Sequence, residues 1–358
     1  ELEVRIDGEV LTADERIALR FDGDLSSKAQ FSVLNAFNGN IANYRGELEI
    51  VFDAGGQLAA VALVRAEEMV AGTVPSESYA SAPIEALKSQ AIAARTELFS
   101  KLGHRHGMDP YLLCGKQDCQ VYHGRDSRHP RSDRATKATR GAVLFDGTRR
   151  DKGGAHPLAH AQYSAICGGH TEDNDSVWNQ PPSASLRGHP DGILTAPPRG
   201  NEAALRRWIE DSDAKPWCRI SSLTKPKAFA WKRELNSKAL RKLEKRLGLG
   251  SLLQISVPQR GVSGRARSLL LKGSKKQVII EPELAIRRLL GGLPSALFSL
   301  RPRRGKGSII EALNFSGRGW GHGVGMCQMG AIGMAEAGYK ADAILKHYYP
   351  GGEVRRVY

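Results

Sequence analysis

Residues 317–331 read GRGWGHGVGMCQMGA and form the most distinctive stretch of this sequence. Six of the fifteen residues are glycine, which loses more backbone freedom on folding than any other residue. Such a density indicates unusual φ and ψ angles or a backbone that another group approaches closely. We interpret the stretch as the wall of a binding site; the alternative is a tight glycine corner between a strand and a helix.

The charge of the chain points to an anionic partner. The 358 residues include 52 Lys and Arg against 38 Asp and Glu, which gives a formal net charge of +14. This balance favours nucleic acid, a membrane surface or an acidic polymer as partner. The sequence shows no zinc-finger spacing and no basic helical stripe, so we expect no nucleic acid. No apolar run approaches the length of a membrane span.

The first residue of the sequence is Glu1 rather than Met. We therefore expect a processed form whose targeting segment is not present in this chain, and a membrane anchor outside the visible sequence stays open.

The spacing of apolar residues predicts an α+β fold with two domains. Short alternating runs in 1–66 predict strands, and apolar residues at three- to four-residue spacing predict a helix over 83–102. The Pro- and Gly-rich stretch 178–200 favours a domain boundary. We expect a core of 1–184 and 308–358, with strands and a long helix, an inserted smaller α+β domain of 185–307, and a cleft between the two. Further helices are predicted at 201–213, 236–248 and 283–290, and strands at 141–146, 160–166, 252–257, 268–272 and 277–281.

A few side chains have types suited to chemistry, and each has two interpretations. Glu77 lies shortly before the predicted helix; it is either a solvated loop residue or a general acid whose pKa is raised in partly apolar surroundings. Arg95 lies within that helix and can form either a structural ion pair or a contact with a ligand. Cys114 and Cys119, with His106 upstream, can hold zinc or can close a small disulfide loop.

Two long segments resemble the signatures of a known family. GWGHGVGMCQMGAIGMAEAGYKADAILKHYYPGG (319–352) and VPSESYASAPIEALKSQAIAARTE (74–97) are similar to the motifs of the SpoIID family, the stage II sporulation protein D group, which is related to the LytB amidase enhancers. Shorter pieces fit in the same order: QVYHG (120–124), CGGHTE (167–172), SGRA (263–266) and IRRLLG (286–291). The resemblance therefore covers nearly the whole chain.

The resemblance implies a peptidoglycan lytic transglycosylase, with Glu77 at the position of the family's catalytic glutamate. Such an enzyme uses the muramic sugar's own primary hydroxyl as nucleophile, so a single carboxylate can act first as acid and then as base. No cofactor is required for this chemistry.

The resemblance also implies a substrate of peptidoglycan glycan strands from which an amidase has removed the stem peptides. The exposed lactyl carboxylates make such a strand a polyanion, which accounts for the positive charge. The candidate substrate-binding residues are Gln90, Arg95, Tyr122, Arg287, His322 and Gln328.

The resemblance carries expectations for the cysteines as well. Some relatives hold zinc near the cleft, which suggests a structural site of His106, Cys114 and Cys119, although Asp118 stands where a His is expected. A disulfide between Cys114 and Cys119 is the alternative. Cys167 and Cys218 are candidates for another disulfide, which leaves Cys327 unpaired at a position where the family usually has Ser.

The implied location is extracytoplasmic: the periplasm, the cell wall or the intermembrane space. Two other functions stay open, a non-enzymatic amidase enhancer or cell-wall-binding protein, and a muramidase-type hydrolase.

Overall fold

The computed structural model describes residues 2–6, 9–13, 16–19, 31–34, 41–45, 47–193, 195–305, 307 and 309–358. Helices and small, mostly antiparallel sheets alternate along these residues, which confirms the predicted α+β class. The chain divides into two compact units: unit 1 is Glu1–Phe145 with Val354–Tyr358, and unit 2 is Asp146–Glu353. The predicted insertion of 185–307 into a core stays a prediction. Among the described residues, no helix has the length and apolar character needed to cross a bilayer.

Unit 1 begins with short strands, as the alternating pattern predicts. The strands pair as three antiparallel sheets, β1–β2, β3–β6–β7 and β4–β5; for example, Ile50 of β6 lies opposite Ile17 of β3 and Ala60 of β7. The strands are β1 (Leu2–Ile6), β2 (Glu9–Ala13), β3 (Arg16–Leu19), β4 (Phe31–Leu34), β5 (Ile41–Tyr44), β6 (Glu47–Phe52) and β7 (Leu58–Leu63).

Three helices follow in unit 1: α1 (Ala66–Glu77), α2 (Ile84–Lys101) and α3 (Pro130–Ala138). The predicted helix over 83–102 is confirmed as α2, and Ala91, Ala93 and Ala94 on it are fully buried because α1 and α3 both pack against it. Small side chains allow this close approach. Strand β8 (Ala142–Asp146) then pairs with the last strand of the chain, β17 (Gly352–Arg356), of which Val354–Arg356 belong to unit 1.

Unit 2 contains two three-stranded antiparallel sheets, β10–β15–β14 and β11–β12–β13. Phe298 and Phe315 meet edge to face in its apolar core, with ring centroids 5.5 Å apart. Most elements predicted between 201 and 290 are present within a few residues. The elements of unit 2 are β9 (Tyr163–Ser164), α4 (Asn174–Val177), α5 (Glu202–Glu210), α6 (Trp217–Ile220), α7 (Pro226–Phe229), β10 (Ala230–Leu235), α8 (Ser237–Leu247), β11 (Leu252–Arg260), β12 (Ala266–Gly273), β13 (Gln277–Ile280), α9 (Glu283–Leu289), β14 (Phe298–Arg304), β15 (Ile310–Arg318), β16 (Met326–Cys327), α10 (Gln328–Glu336) and α11 (Ala341–Tyr348).

The glycine-rich stretch connects β15 to β16 and α10. Four of its glycines have positive φ, and at Gly325 (φ +68°) an added β-carbon would lie 2.0 Å from the carbonyl oxygen of Gln162. That oxygen belongs to the residue before β9, and β9 pairs in parallel with β16. The stretch is therefore a tight corner between a strand and a helix, as the second interpretation proposed, and its role in binding stays a prediction.

Candidate catalytic site around Glu77

Glu77 is the last residue of α1, which corrects the interpretation that it is a loop residue. The helix ends there because Ser78 adopts an extended conformation (φ −136°, ψ 168°). A carboxylate at the C-terminal end of a helix meets the negative end of the helix dipole, which disfavours its charged form. The position of Glu77 thus suits a group that holds a proton.

The surroundings of Glu77 raise its pKa. The side chain is half-buried, and the backbone amide of Val121 donates a hydrogen bond of 2.6 Å to Oε1. Burial raises the pKa above the usual value for glutamate and outweighs the opposing effects of the Val121 amide, Lys101 and His123. The interpretation of Glu77 as a general acid is therefore the one that its environment favours.

The segment that carries Val121 is attached to α2. Lys101 donates a 2.7 Å hydrogen bond to the carbonyl oxygen of Cys119 and forms a 2.8 Å ion pair with Glu97. The buried Gln120 side chain donates to the carbonyl oxygen of Ala94 at 3.1 Å. These contacts at the two residues before Val121 fix the position of the amide that meets Glu77.

The predicted metal ligands of unit 1 do come together. His106, Cys114 and Cys119 have their ligand atoms within 4.8 Å of one another, with His106 Nε2 3.4 Å from the Cys119 sulfur. The two sulfurs are 2.9 Å apart, longer than the ~2.05 Å of a disulfide, so the structure shows no bond between them. His106 Nδ1 contacts Asp109 at 2.8 Å, the outer carboxylate that commonly orients a zinc-bound histidine. The donor types fit zinc, although the two sulfurs lie closer together than the roughly 3.8 Å of two thiolates on one zinc ion.

Three of the predicted sugar-binding residues lie in the interior of unit 1. Arg95 has no exposed surface; its guanidinium donates to both carboxylate oxygens of Glu67, at 2.7 and 2.9 Å. The structure thus shows the structural ion pair, and a contact between Arg95 and a glycan stays a prediction. Gln90 is only 2% exposed, and Tyr122, at 9%, covers Gly72 with its ring. A sugar-binding role for Gln90 and Tyr122 stays a prediction.

The other three predicted sugar-binding residues belong to unit 2. Arg287 donates to the carbonyl oxygen of Leu293 at 2.8 Å and so holds the turn that follows α9. His322 accepts the Val324 amide proton at 3.1 Å, and Gln328, 7% exposed, begins α10. A sugar-binding role for these residues stays a prediction.

Trp320 is a candidate that the sequence reasoning missed. It is 47% exposed and lies in the glycine-rich stretch two residues before His322. An exposed aromatic face is suited to stacking on a sugar ring. The signal was present, because a tryptophan between glycines has few neighbours in sequence that could cover it.

Cys167 and Cys218, the predicted disulfide partners, are neighbours inside unit 2. Their sulfurs are 3.6 Å apart, so the structure does not contain the predicted bond. Cys327, which was expected to be unpaired, lies beside them.

Comparisons with known proteins agree with the two sequence motifs. Residues 54–145 match a family model described as stage II sporulation protein, and this match ends where the first segment of unit 1 ends. Residues 172–325 match a family described only as a domain of unknown function.

Three relatives show how far the similarity extends. The chain is 25% identical over 353 residues to an uncharacterised protein of Brachyspira hyodysenteriae, covering 96% of this chain and 82% of the relative. It is 29% identical to the amidase enhancer of Bacillus subtilis, over 78% of this chain but only 39% of that protein. It is 25% identical to stage II sporulation protein D of the same organism, over 80% of this chain and 74% of that protein. The chain is thus a SpoIID-domain protein. Along most of its length it is similar to stage II sporulation protein D and amidase-enhancer proteins, with identities of 25–29%.

Proposed function

We propose that the protein is a lytic transglycosylase that cleaves the glycan strands of bacterial peptidoglycan. The observation that carries the proposal is Glu77, a half-buried carboxyl group with a raised pKa at the position of the family's catalytic glutamate. The family relationship supports a role at the cell wall.

Glu77 acts first as an acid and then as a base. Because the Val121 amide donates to Oε1, the transferable proton sits on Oε2, from which it passes to the glycosidic oxygen. The C6 hydroxyl of the muramic residue attacks its own anomeric carbon, the glycosidic bond breaks, and a 1,6-anhydro ring forms. The Glu77 carboxylate takes the hydroxyl proton, so the enzyme returns to its starting state.

A tethered nucleophile explains why one carboxylate suffices. Hydrolytic glycosidases use two, either to activate water or to form a covalent intermediate. Here the muramic residue supplies the nucleophile from its own C6 hydroxyl, and the side chains whose charges act on the Glu77 pKa, Lys101 and His123, are basic. The exposed His123 side chain also suits a substrate that carries carboxylates.

The proposed substrate is a glycan strand without stem peptides. Each muramic residue of such a strand exposes a carboxylate, and the net charge of +14 favours encounter with a polyanion. A cell-wall amidase that produces such strands is the proposed partner, consistent with a relative named amidase enhancer. This activity places the protein outside the cytoplasm.

The cluster of His106, Cys114 and Cys119 would hold a zinc ion with a structural role. Cys119 lies two residues before Val121, so an ion bound there would anchor the segment whose amide contacts Glu77. The ion would supply rigidity and take no part in bond cleavage.

Substitution of Glu77 tests the proposal. Glu77→Gln keeps the size of the side chain and an acceptor for the Val121 amide but cannot transfer a proton. We expect it to abolish release of 1,6-anhydro-muramic products from denuded glycan while strand binding persists. Glu85→Gln, on α2 and paired with Lys88 at 2.9 Å, is the matched control and should keep activity. Equal turnover by Glu77→Gln and the wild type contradicts the proposal.

A non-enzymatic amidase enhancer is the second candidate, favoured by the name of the Bacillus subtilis relative. It predicts that the purified chain releases no glycan fragments but accelerates a cell-wall amidase, and that Glu77→Gln leaves this acceleration unchanged.

A further inference from the structure

Three cysteines and an aspartate meet in the interior of unit 2. The sulfurs of Cys167, Cys218 and Cys327 and a carboxylate oxygen of Asp191 all lie within 4.8 Å of one another. Each of the four side chains has 0% exposed surface. They come from four separate segments: the chain after β9, an irregular loop, α6 and the end of β16. The mechanism proposed above uses none of them.

The distances in this cluster fit a single ion rather than a disulfide. The sulfurs of Cys167 and Cys218 are 3.6 Å apart. A disulfide requires about 2.05 Å, whereas two thiolates on one tetrahedral zinc, each ~2.3 Å from the metal, lie roughly 3.8 Å apart. A disulfide would also leave the third sulfur and the carboxylate buried without a role.

The hydrogen bonds in the cluster favour anionic ligands. Asp191 accepts from the Tyr348 hydroxyl at 2.5 Å and from the Cys218 amide at 2.9 Å. The Cys327 sulfur accepts from the amides of Cys167 at 3.1 Å and Gly330 at 3.4 Å, at the N-terminal end of α10. All of these donors are neutral. A carboxylate and a thiolate side by side in a dry interior are costly unless a cation offsets their charge.

The groups around the cluster hold the ligands in place. The Tyr348 hydroxyl orients the carboxylate, as outer partners do in metal sites. The fully buried Arg265 donates a 2.7 Å hydrogen bond to the carbonyl oxygen of Cys167, which fixes the backbone of that ligand.

We propose that Cys167, Asp191, Cys218 and Cys327 form a structural site for one Zn²⁺ ion. Four protein ligands without exposed surface leave no position for water or substrate, so the site is closed and not catalytic. The ion links four segments of unit 2, including the end of the glycine-rich stretch at Cys327. Each cysteine thiol releases its proton to solvent when the ion binds.

Metal analysis of a variant without the cluster of unit 1 tests this site. In the Cys114→Ser/Cys119→Ser double variant, purified with reductant and zinc, we expect one zinc ion per chain by mass spectrometry. Cobalt added in place of zinc should give the absorption of a tetrahedral thiolate complex. Tyr348→Phe should weaken zinc binding about 10–100-fold in a chelator competition. The control is Tyr349→Phe, because the Tyr349 hydroxyl contacts the carbonyl oxygens of Ala161 and Gln162 and not the cysteine cluster.

Two results overturn the proposal. In the first, the double variant contains no metal and all three of its remaining thiols react in denaturant. In the second, two of these thiols react only after reduction, which shows that they form a disulfide. If the double variant does not fold, Cys327→Ser in the wild-type background decides. This nearly isosteric change should remove one ion per chain, and an unchanged metal content contradicts the site.

Discussion

The backbone amide of Val121 and the carboxylate of Glu77 lie 2.6 Å apart, although 44 residues separate them along the chain. The contact joins the end of α1 to a segment fixed on α2. It gives the carboxylate one defined orientation while burial raises its pKa. Orientation and a raised pKa are the two properties that a general acid requires.

The raised pKa of Glu77 predicts a pH-dependent effect of Glu77→Gln on stability. Between the unfolded pKa and the higher folded pKa, the native state binds more protons than the unfolded state, so the wild type loses stability as pH rises through this window. Glutamine does not titrate, so the variant does not lose stability in this way as pH rises. We expect the melting temperature of the variant to rise relative to that of the wild type as pH increases from the unfolded pKa of Glu77 to its higher folded pKa, as measured by calorimetry. A constant difference over that range contradicts a raised pKa.

Asp109 is expected to control metal binding in unit 1. Asp109→Asn weakens the orientation of His106 and should lower zinc affinity about 10–100-fold. Asp118→Asn, adjacent to Cys119 but outside the cluster, is the control and should bind as the wild type does. Chelator competition measures both. Equal affinities contradict the role of Asp109, whereas thiols at 114 and 119 that react only after reduction favour the disulfide alternative.

The ion pair of Arg95 and Glu67 should matter for stability. Arg95→Met leaves the partly buried Glu67 carboxylate without its guanidinium and is expected to cost about 3 kcal/mol. The control on the same helix is Lys88→Met, which removes a partly exposed ion pair and should cost about 0–1 kcal/mol. Urea unfolding measures both. A similar cost for the two variants shows that Arg95 does not act through a buried ion pair.

Gly325 is expected to be the least replaceable glycine of the stretch. At Gly325, which has positive φ, the added β-carbon of Gly325→Ala clashes with the carbonyl oxygen of Gln162. Gly338 also has positive φ, but the β-carbon of Gly338→Ala would have no atom within 4 Å. We expect about 1–2 kcal/mol for Gly338→Ala and at least ~2 kcal/mol more for Gly325→Ala. Thermal unfolding compares them, and equal losses show that the close approach has no energetic effect.

The sequence predicted the early strands, α2 and the elements between 236 and 290, since these follow from apolar spacing, but it did not predict α3, β10, β14 or β15. It missed α1, because Gly72, Thr73, Val74 and Pro75 are poor helix formers. Packing overrides their propensity: the Tyr122 ring lies against Gly72, where an added β-carbon would be 2.6 Å from Cε2. Such long-range contacts leave no local trace in a sequence.

The candidate site was predicted less completely than the fold. The motif located Glu77, and the cysteine spacing together with His106 located the cluster of unit 1. The burial of Arg95 and Gln90 was not predictable, because both stand on a helix whose small residues allow packing on every side. The meeting of Asp191 with three distant cysteines likewise depends on tertiary structure alone.

The origin of the oxygen at the new glycan end tests the transglycosylase mechanism most directly. Denuded strands are digested in H₂¹⁸O and the products are weighed by mass spectrometry. The proposed mechanism predicts anhydro ends that contain no ¹⁸O with the wild type and with Glu85→Gln, and no products with Glu77→Gln. Reducing ends that carry ¹⁸O would show that water is the nucleophile and would contradict it.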